Sequence, residues 1–383
     1  MYRSFSIEVI HLFYKKNRPI IDSTKMEKEY INLNKEQSAA IKGLLIFLII
    51  LGHNAVFTNS VPGSFGYLYT FHVQAFFILP FLYKTKKEKY SDSIKKDFAR
   101  LYYPYIIFFI LLSIICYFMQ GSSIDTNGVI DINATGIKKI LLYISTILTG
   151  NFYLIDYFSG FQYLWFLPVM FSMSVIRKKE RKKERKKERT LMVIGLICYI
   201  IFFVFMYGQP YKSNINYILM LFSPFAILQG CGAYFLGKAS FSLMNNDKSR
   251  IINIICTILF VTLSVTYIVL TYCDYMDKIS QWCFRFIMPI LFINLLYLYK
   301  DFFARFNLLK KLGNNSFPIY LIHPMLCTIA YLICERYLSI NVVYAIIIQI
   351  AVVFISYYAS VLWQKITPLR KKTLPRSLDE IYN

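Results

Sequence analysis

AAIKGLLIFLIILGHNAVF, residues 39–57, carries one charge, Lys42, and runs apolar to Gly52, His53 and Asn54. A helix needs roughly 17–25 such residues to cross the hydrocarbon of a bilayer, so this stretch is long enough to span it. Working outward, comparable apolar runs fall near 67–83, 101–119, 160–176, 190–207, 215–237, 251–272, 281–299, 316–334 and 342–363. The sequence therefore predicts an all-α, polytopic integral membrane protein with about ten transmembrane helices. An N-terminal arm (1–38) precedes the membrane domain (39–363), and a basic tail (364–383) follows it.

The composition agrees with lipid as the solvent. Hydrophobic residues make up 57% of the 383 positions and aromatics 18%, above the roughly 45–50% apolar share of a soluble domain. The net charge of +22 does not mark a nucleic-acid binder, because Lys and Arg sit in short clusters between apolar runs. A fourteen-residue run, 137–150 (IKKILLYISTILTG), is too short to cross unaided and is read as a helix at the outer interface. With ten spans, about 37 of the 43 basic residues fall on one side and about five on the other. The positive-inside rule then places both termini, the loop 84–100 and the repeat RKKERKKERKKER (177–189) in the cytoplasm. The arm 1–38 has seven basic residues and no long apolar core, so it reads as cytoplasmic rather than as a signal peptide. The segment 120–160 is the longest on the outer side and the best place for a lid over a site. Eight scattered cysteines without a CxxC pair, and four separated histidines, call for no metal and no disulfide framework.

An ionisable group inside a span is costly, and is a functional candidate by default. His53 lies near the outer end of the first span and His72 near the outer start of the second, so the two share a depth and could face one cavity. Lys42 is eleven residues before His53; eleven steps of 100° return to within about 20° of the same face, and the axial separation is about 16 Å. That length suits an extended phosphopantetheine arm held by its phosphates at Lys42. A neutral imidazole can take the proton of an attacking hydroxyl, or carry an acyl group itself, and the residue types do not separate these routes. His72 is the first candidate to donate to an oxyanion and Asn54 the second. No carboxylate lies in the first two spans to complete a triad. Proline-interrupted spans would also suit a glycan or lipid transporter, although no internal repeat relates the two halves.

Five stretches in order, KGLLIFLIILGHN (42–54), FHVQAFF (71–77), RLYYPY (100–105), YLWFLP (163–168) and FPIYLIHP (317–324), resemble the signatures of the membrane acyltransferase-3 family. The first two are closest to its fucose 4-O-acetylase-like branch. The resemblance implies an O-acyltransferase of the cytoplasmic (inner) membrane. It would carry an acyl group, most commonly acetyl, from cytosolic acyl-CoA to a hydroxyl of a cell-envelope glycan or lipid-linked sugar. Acyl-CoA enters as a co-substrate, and no further cofactor is implied. By the same resemblance His53 is the essential first-helix histidine and Arg100 the basic residue opening the third span, while Trp165 and His323 match family positions. One position departs: the family commonly carries a second arginine three residues before Arg100, where this chain has Asp97 beside Lys95 and Lys96.

Overall fold

The computed structural model describes residues 33–83, 89–119, 136–180, 185–207, 224–244, 249–338 and 340–382. Most of the N-terminal arm, part of the outer segment 120–160 and the centre of the RKKE repeat lie outside them. Among the described residues every regular element is helical. Seven helices are long and apolar enough to cross a membrane: Lys35–His53, Ser64–Leu82, Tyr90–Phe118, Ile251–Tyr272, Ile279–Leu298, Ser316–Tyr337 and Val342–Lys365. The expected spans 160–176, 190–207 and 215–237 overlap the helices Phe166–Glu180, Arg185–Tyr207 and Phe225–Met244, which are not among those seven, and the start of 215–237 lies outside the described residues. All eight cysteines are free thiols.

The first span, expected over 39–57, is the helix Lys35–His53, starting and ending four residues earlier. Asn34 accepts from the Gln37 backbone N–H at 2.8 Å, and the Gln37 side chain accepts from Asn34 N–H at 2.8 Å. This reciprocal cap satisfies donors that a helix start would otherwise leave open. The helix runs through the middle of the bundle, with 56% of its apolar window buried against 11% for Ile251–Tyr272 at the periphery. A short amphipathic helix, Asn307–Asn314, lies directly on its inner half. Gly43 and Gly313 permit that approach: a Cβ on either would overlap a backbone carbonyl of the other helix, Leu309 or Ala39. Lys310 pairs with Glu36 at 3.2 Å, and Gln37 donates to Asp301 at 2.7 Å, fixing the register.

The run 137–150 neither spans nor lies flat in the interface. It forms the helix Ile137–Thr149, which packs back along the third span with the Tyr143 ring 5.0 Å from Phe109. The chain reverses at Gly150 and Asn151 and returns as Phe152–Ser159, so that Gly160 comes beside Cys116 near the far end of the third span. This is a re-entrant hairpin, and its tip has no spare polar groups. The Tyr102 hydroxyl donates to the Ile147 carbonyl at 2.7 Å, and the Tyr105 hydroxyl to the Thr146 carbonyl at 2.7 Å. The Asn151 side chain accepts from Tyr153 N–H and Leu154 N–H, capping the returning helix. Gly150 takes a left-handed φ of 61° against Pro168, where a side chain would meet the ring at 2.6 Å. The interfacial helix expected from sequence is corrected accordingly: its carbonyl end is held by tyrosines inside the bundle.

The second span is not one helix either. It breaks over Tyr69–Phe71 between Ser64–Leu68 and His72–Ile78, then ends in a 3-10 turn at Leu79–Leu82. That break decides how the site is built.

Candidate active site

His53 is the last residue of the first helix, and Asn54 caps it. It keeps some exposure, whereas His72 and His323 are fully buried. Its neighbours come from three separate elements. The Tyr69 hydroxyl lies 3.2 Å from His53 Nε2. The His323 ring stands 5.2 Å away and the Tyr163 ring 6.4 Å away, both edge-on. Tyr69 is in this place because of the break in the second span; in a continuous helix it would follow the regular twist and leave the turn closed.

The same break turns His72 elsewhere. Its Nδ1 hydrogen-bonds the Leu68 carbonyl, and the Tyr69 ring, 4.8 Å from His72 and 6.0 Å from His53, touches both imidazoles. A carbonyl only accepts, so Nδ1 carries the proton and Nε2 of the neutral ring is a lone pair. Nε2 is therefore no donor, and the oxyanion role expected of His72 does not fit the geometry. Equal depth placed the two histidines close, but not face to face. Asn54 is also engaged: its amide donates to Ala345 O at 3.1 Å and Gln349 Oε1 at 3.4 Å, and its oxygen accepts from Phe57 N–H at 3.2 Å. It ties the first span to the last and has no donor left for an oxyanion.

His323 comes to His53 because of its own helix. Its Nδ1 donates to the Ile319 carbonyl at 3.1 Å, while Pro324, lacking an N–H, leaves the Tyr320 carbonyl without its helical donor. Tyr320, three residues earlier, hydrogen-bonds through its hydroxyl to the Tyr163 carbonyl and lies 5.9 Å from the His323 ring. Trp165 is one turn away from this group and packs on Phe77, Phe152 and Phe166 at 6.0–6.3 Å. From the YLWFLP stretch it is thus Tyr163, not Trp165, that touches His53.

A cavity of about 740 Å³ opens at the end of the bundle where Lys42 and Arg100 lie. Its wide end is lined by Lys42, Lys96, Arg100, Arg177 and Lys178, with Arg370 and Arg376 from the tail. Asp97 is the one acid among these described lining residues, and it is taken up by Lys178 and Ser174. The exchange of arginine for Asp97 therefore recruits a cation from the neighbouring helix Phe166–Glu180. Arg100 sits in a π-helical turn over Phe98–Tyr102, whose extra residue widens the backbone where the helix meets the cavity. Lys42 is held over the Tyr83 ring at 5.1 Å. From Lys42 the wall continues through Ile46 and Ile49, and His53 is the next residue on that stripe. Phe166 and Tyr320 also line the cavity, and the Tyr320 ring packs on Tyr163 and His323, the neighbours of His53.

The arrangement sets a cationic cavity and the imidazole of His53 on one face of the first helix, with His53 outside the cavity lining. Of the residues that the sequence singled out, the structure brings Lys42 and Arg100 together in the cavity, and His53 and His323 together outside its lining. Sequence reasoning missed Tyr69 and Tyr163, whose only signal was their position three residues before His72 and at the head of the YLWFLP stretch. No curated protein and no solved structure matches the chain. The profile of the acyltransferase-3 family, described as an acyltransferase domain, matches residues 37–361, which contain the whole helical bundle and all of the residues around His53. The chain belongs to the acyltransferase-3 family of membrane acyltransferases.

Proposed function

We propose that the protein transfers an acyl group, acetyl by the family's commonest usage, from cytosolic acyl-CoA to a hydroxyl of a cell-envelope glycan or lipid-linked sugar at the inner membrane. The observation that carries this reading is the continuous stripe from the cationic cavity to His53: Lys42, Ile46 and Ile49 line the cavity, and His53 follows them. Phosphates of the donor pair with Lys42 and Arg100, and the pantetheine arm extends about 16 Å along the stripe, placing the thioester at His53. The likeness of residues 42–54 and 71–77 to the fucose 4-O-acetylase-like branch supports a sugar hydroxyl as the acceptor.

In the reaction the neutral His53 imidazole takes the acceptor's hydroxyl proton while that oxygen forms a bond to the thioester carbonyl carbon. The tetrahedral intermediate collapses, the C–S bond breaks, and the CoA sulfur leaves with the proton from the imidazolium. The Tyr69 hydroxyl, 3.2 Å from His53 Nε2, orients the ring for this step. Membranes containing the protein, incubated with radiolabelled acetyl-CoA and a panel of lipid-linked and polymeric glycans, should yield alkali-labile label on an acceptor. Absence of ester-linked label across the panel, with acetyl-CoA bound, would count against the donor or the acceptor class.

Two substitutions test the parts separately. Tyr69→Phe removes one hydrogen bond to His53, worth about 1 kcal/mol, and should lower kcat roughly fivefold with the donor KM unchanged. A wild-type kcat would remove Tyr69 from the mechanism. Arg100→Ala removes a charge-assisted contact and should raise the donor KM about tenfold while sparing kcat. A normal KM in well-expressed protein would take Arg100 out of the donor site.

A further inference from the structure

The tail after the last span is a wall of the cavity. The family profile stops at residue 361, and the sequence alone makes 364–383 a solvated basic end. In the structure the chain turns at Ile366, forms the helix Thr367–Thr373 and folds back, with Trp363 Nε1 donating to Thr373 Oγ1 at 2.9 Å. Arg370, Leu374, Pro375 and Arg376 then line the same cavity as Lys42 and Arg100.

Arg370 is unusual for a tail residue in being only 9% exposed. A buried guanidinium needs a partner. It has one: its two terminal nitrogens meet the Glu380 carboxylate at 2.9 and 3.2 Å, in a two-pronged pair. Glu380 also accepts from Arg376 N–H at 2.8 Å. These contacts, Arg370 first, hold the Glu380 carboxyl below its ordinary range, so it stays ionised. The fork that suits a carboxylate also suits a phosphate, and it faces a cavity already lined with cations.

Position selects which phosphate. Gln349 donates to Phe47 O at 3.2 Å, which sets the last span beside the upper part of the first. From there the last span continues to Lys365, so that the tail lies beyond Lys42, on the far side of the cavity from His53. Lys42 is one arm's length from His53 and takes the diphosphate; a group farther out meets the ribose end of the donor. Resting on the acyl-CoA reading above, we infer that Arg370 and Arg376 bind the 3′-phosphate of the CoA nucleotide, and that Glu380 occupies the Arg370 fork until the nucleotide displaces it.

Binding of CoA and of 3′-dephospho-CoA to the purified full-length protein in neutral detergent tests this. The wild type should bind CoA about tenfold more tightly than the dephospho form, and Arg370→Gln/Arg376→Gln should bind the two alike. Because the ratio is read within each protein, a loss of folded material cancels. A wild-type ratio near one, or a ratio that survives in the double variant, overturns the inference. Glu380→Gln frees the fork and should tighten CoA about threefold; an unchanged or weakened affinity makes the pair structural and overturns the exchange. Failure of the wild type to bind either ligand is a different result, and it would remove the acyl-CoA reading itself.

Discussion

His53→Ala is expected to abolish acyl transfer while leaving a membrane-inserted protein that still binds acyl-CoA. The group removed is the one imidazole that lies on the Lys42 stripe and meets Tyr69, Tyr163 and His323 together. A base or a covalent carrier acts in the chemical step, so kcat should fall by roughly two to four orders of magnitude. Donor affinity depends on phosphate contacts at the other end of the arm and should change less than about threefold. The measurement is turnover and CoA affinity on the same purified sample, with its thermal midpoint as a check on packing around the missing ring. Near-normal turnover in His53→Ala would sink the mechanism even with the family assignment intact.

Gly313→Ala should have the second largest effect, and through a different route. Its new methyl would have to occupy the space of the Ala39 carbonyl oxygen and press on the Gly43 nitrogen, 2.8 Å away. Both obstacles are backbone, and neither can rotate aside as a side chain can. Overpacking of this kind costs about 1–3 kcal/mol where neighbours can yield, and these cannot. The helix Asn307–Asn314 should lift from the first span, displacing Lys42 beside Gly43. The expected outcome is a thermal midpoint lower by several degrees and, in the surviving protein, a donor KM raised more than the acceptor KM. A variant with wild-type midpoint and kinetics would mean that this helix is not seated as described.

The all-helical, multi-span architecture was legible from hydropathy, although seven rather than ten helices among the described residues are long and apolar enough to cross, because a span must satisfy its backbone internally and show apolar residues to lipid. The Lys42–His53 stripe was legible for a similar reason: both residues are on one helix, and its period is fixed. What the sequence hid depends on contacts between elements. Tyr69 and Tyr163 are two of 32 tyrosines, and only the break at Tyr69–Phe71 and the Tyr320–Tyr163 contact single them out. His72 was misjudged because equal depth was taken over a regular helix that the chain does not make. The run 137–150 carried the right length for a non-spanning segment but no sign of a reversal, since the groups that satisfy its end belong to Tyr102 and Tyr105. The tail was read from its charge, which does not say that Glu380 folds it back onto Arg370.

The re-entrant hairpin has a consequence for biogenesis. Neither Ile137–Thr149 nor Phe152–Ser159 is long enough to be inserted as a span while the chain emerges. At the tip the Thr146 carbonyl accepts from Gly150 N–H as well as from the Tyr105 hydroxyl, and the Ile147 carbonyl accepts from the Tyr102 hydroxyl. Both tyrosines precede the hairpin in the chain, so the third span that holds it is made before it. The hairpin is thus seated by its contacts with the third span rather than by a hydrophobic length of its own.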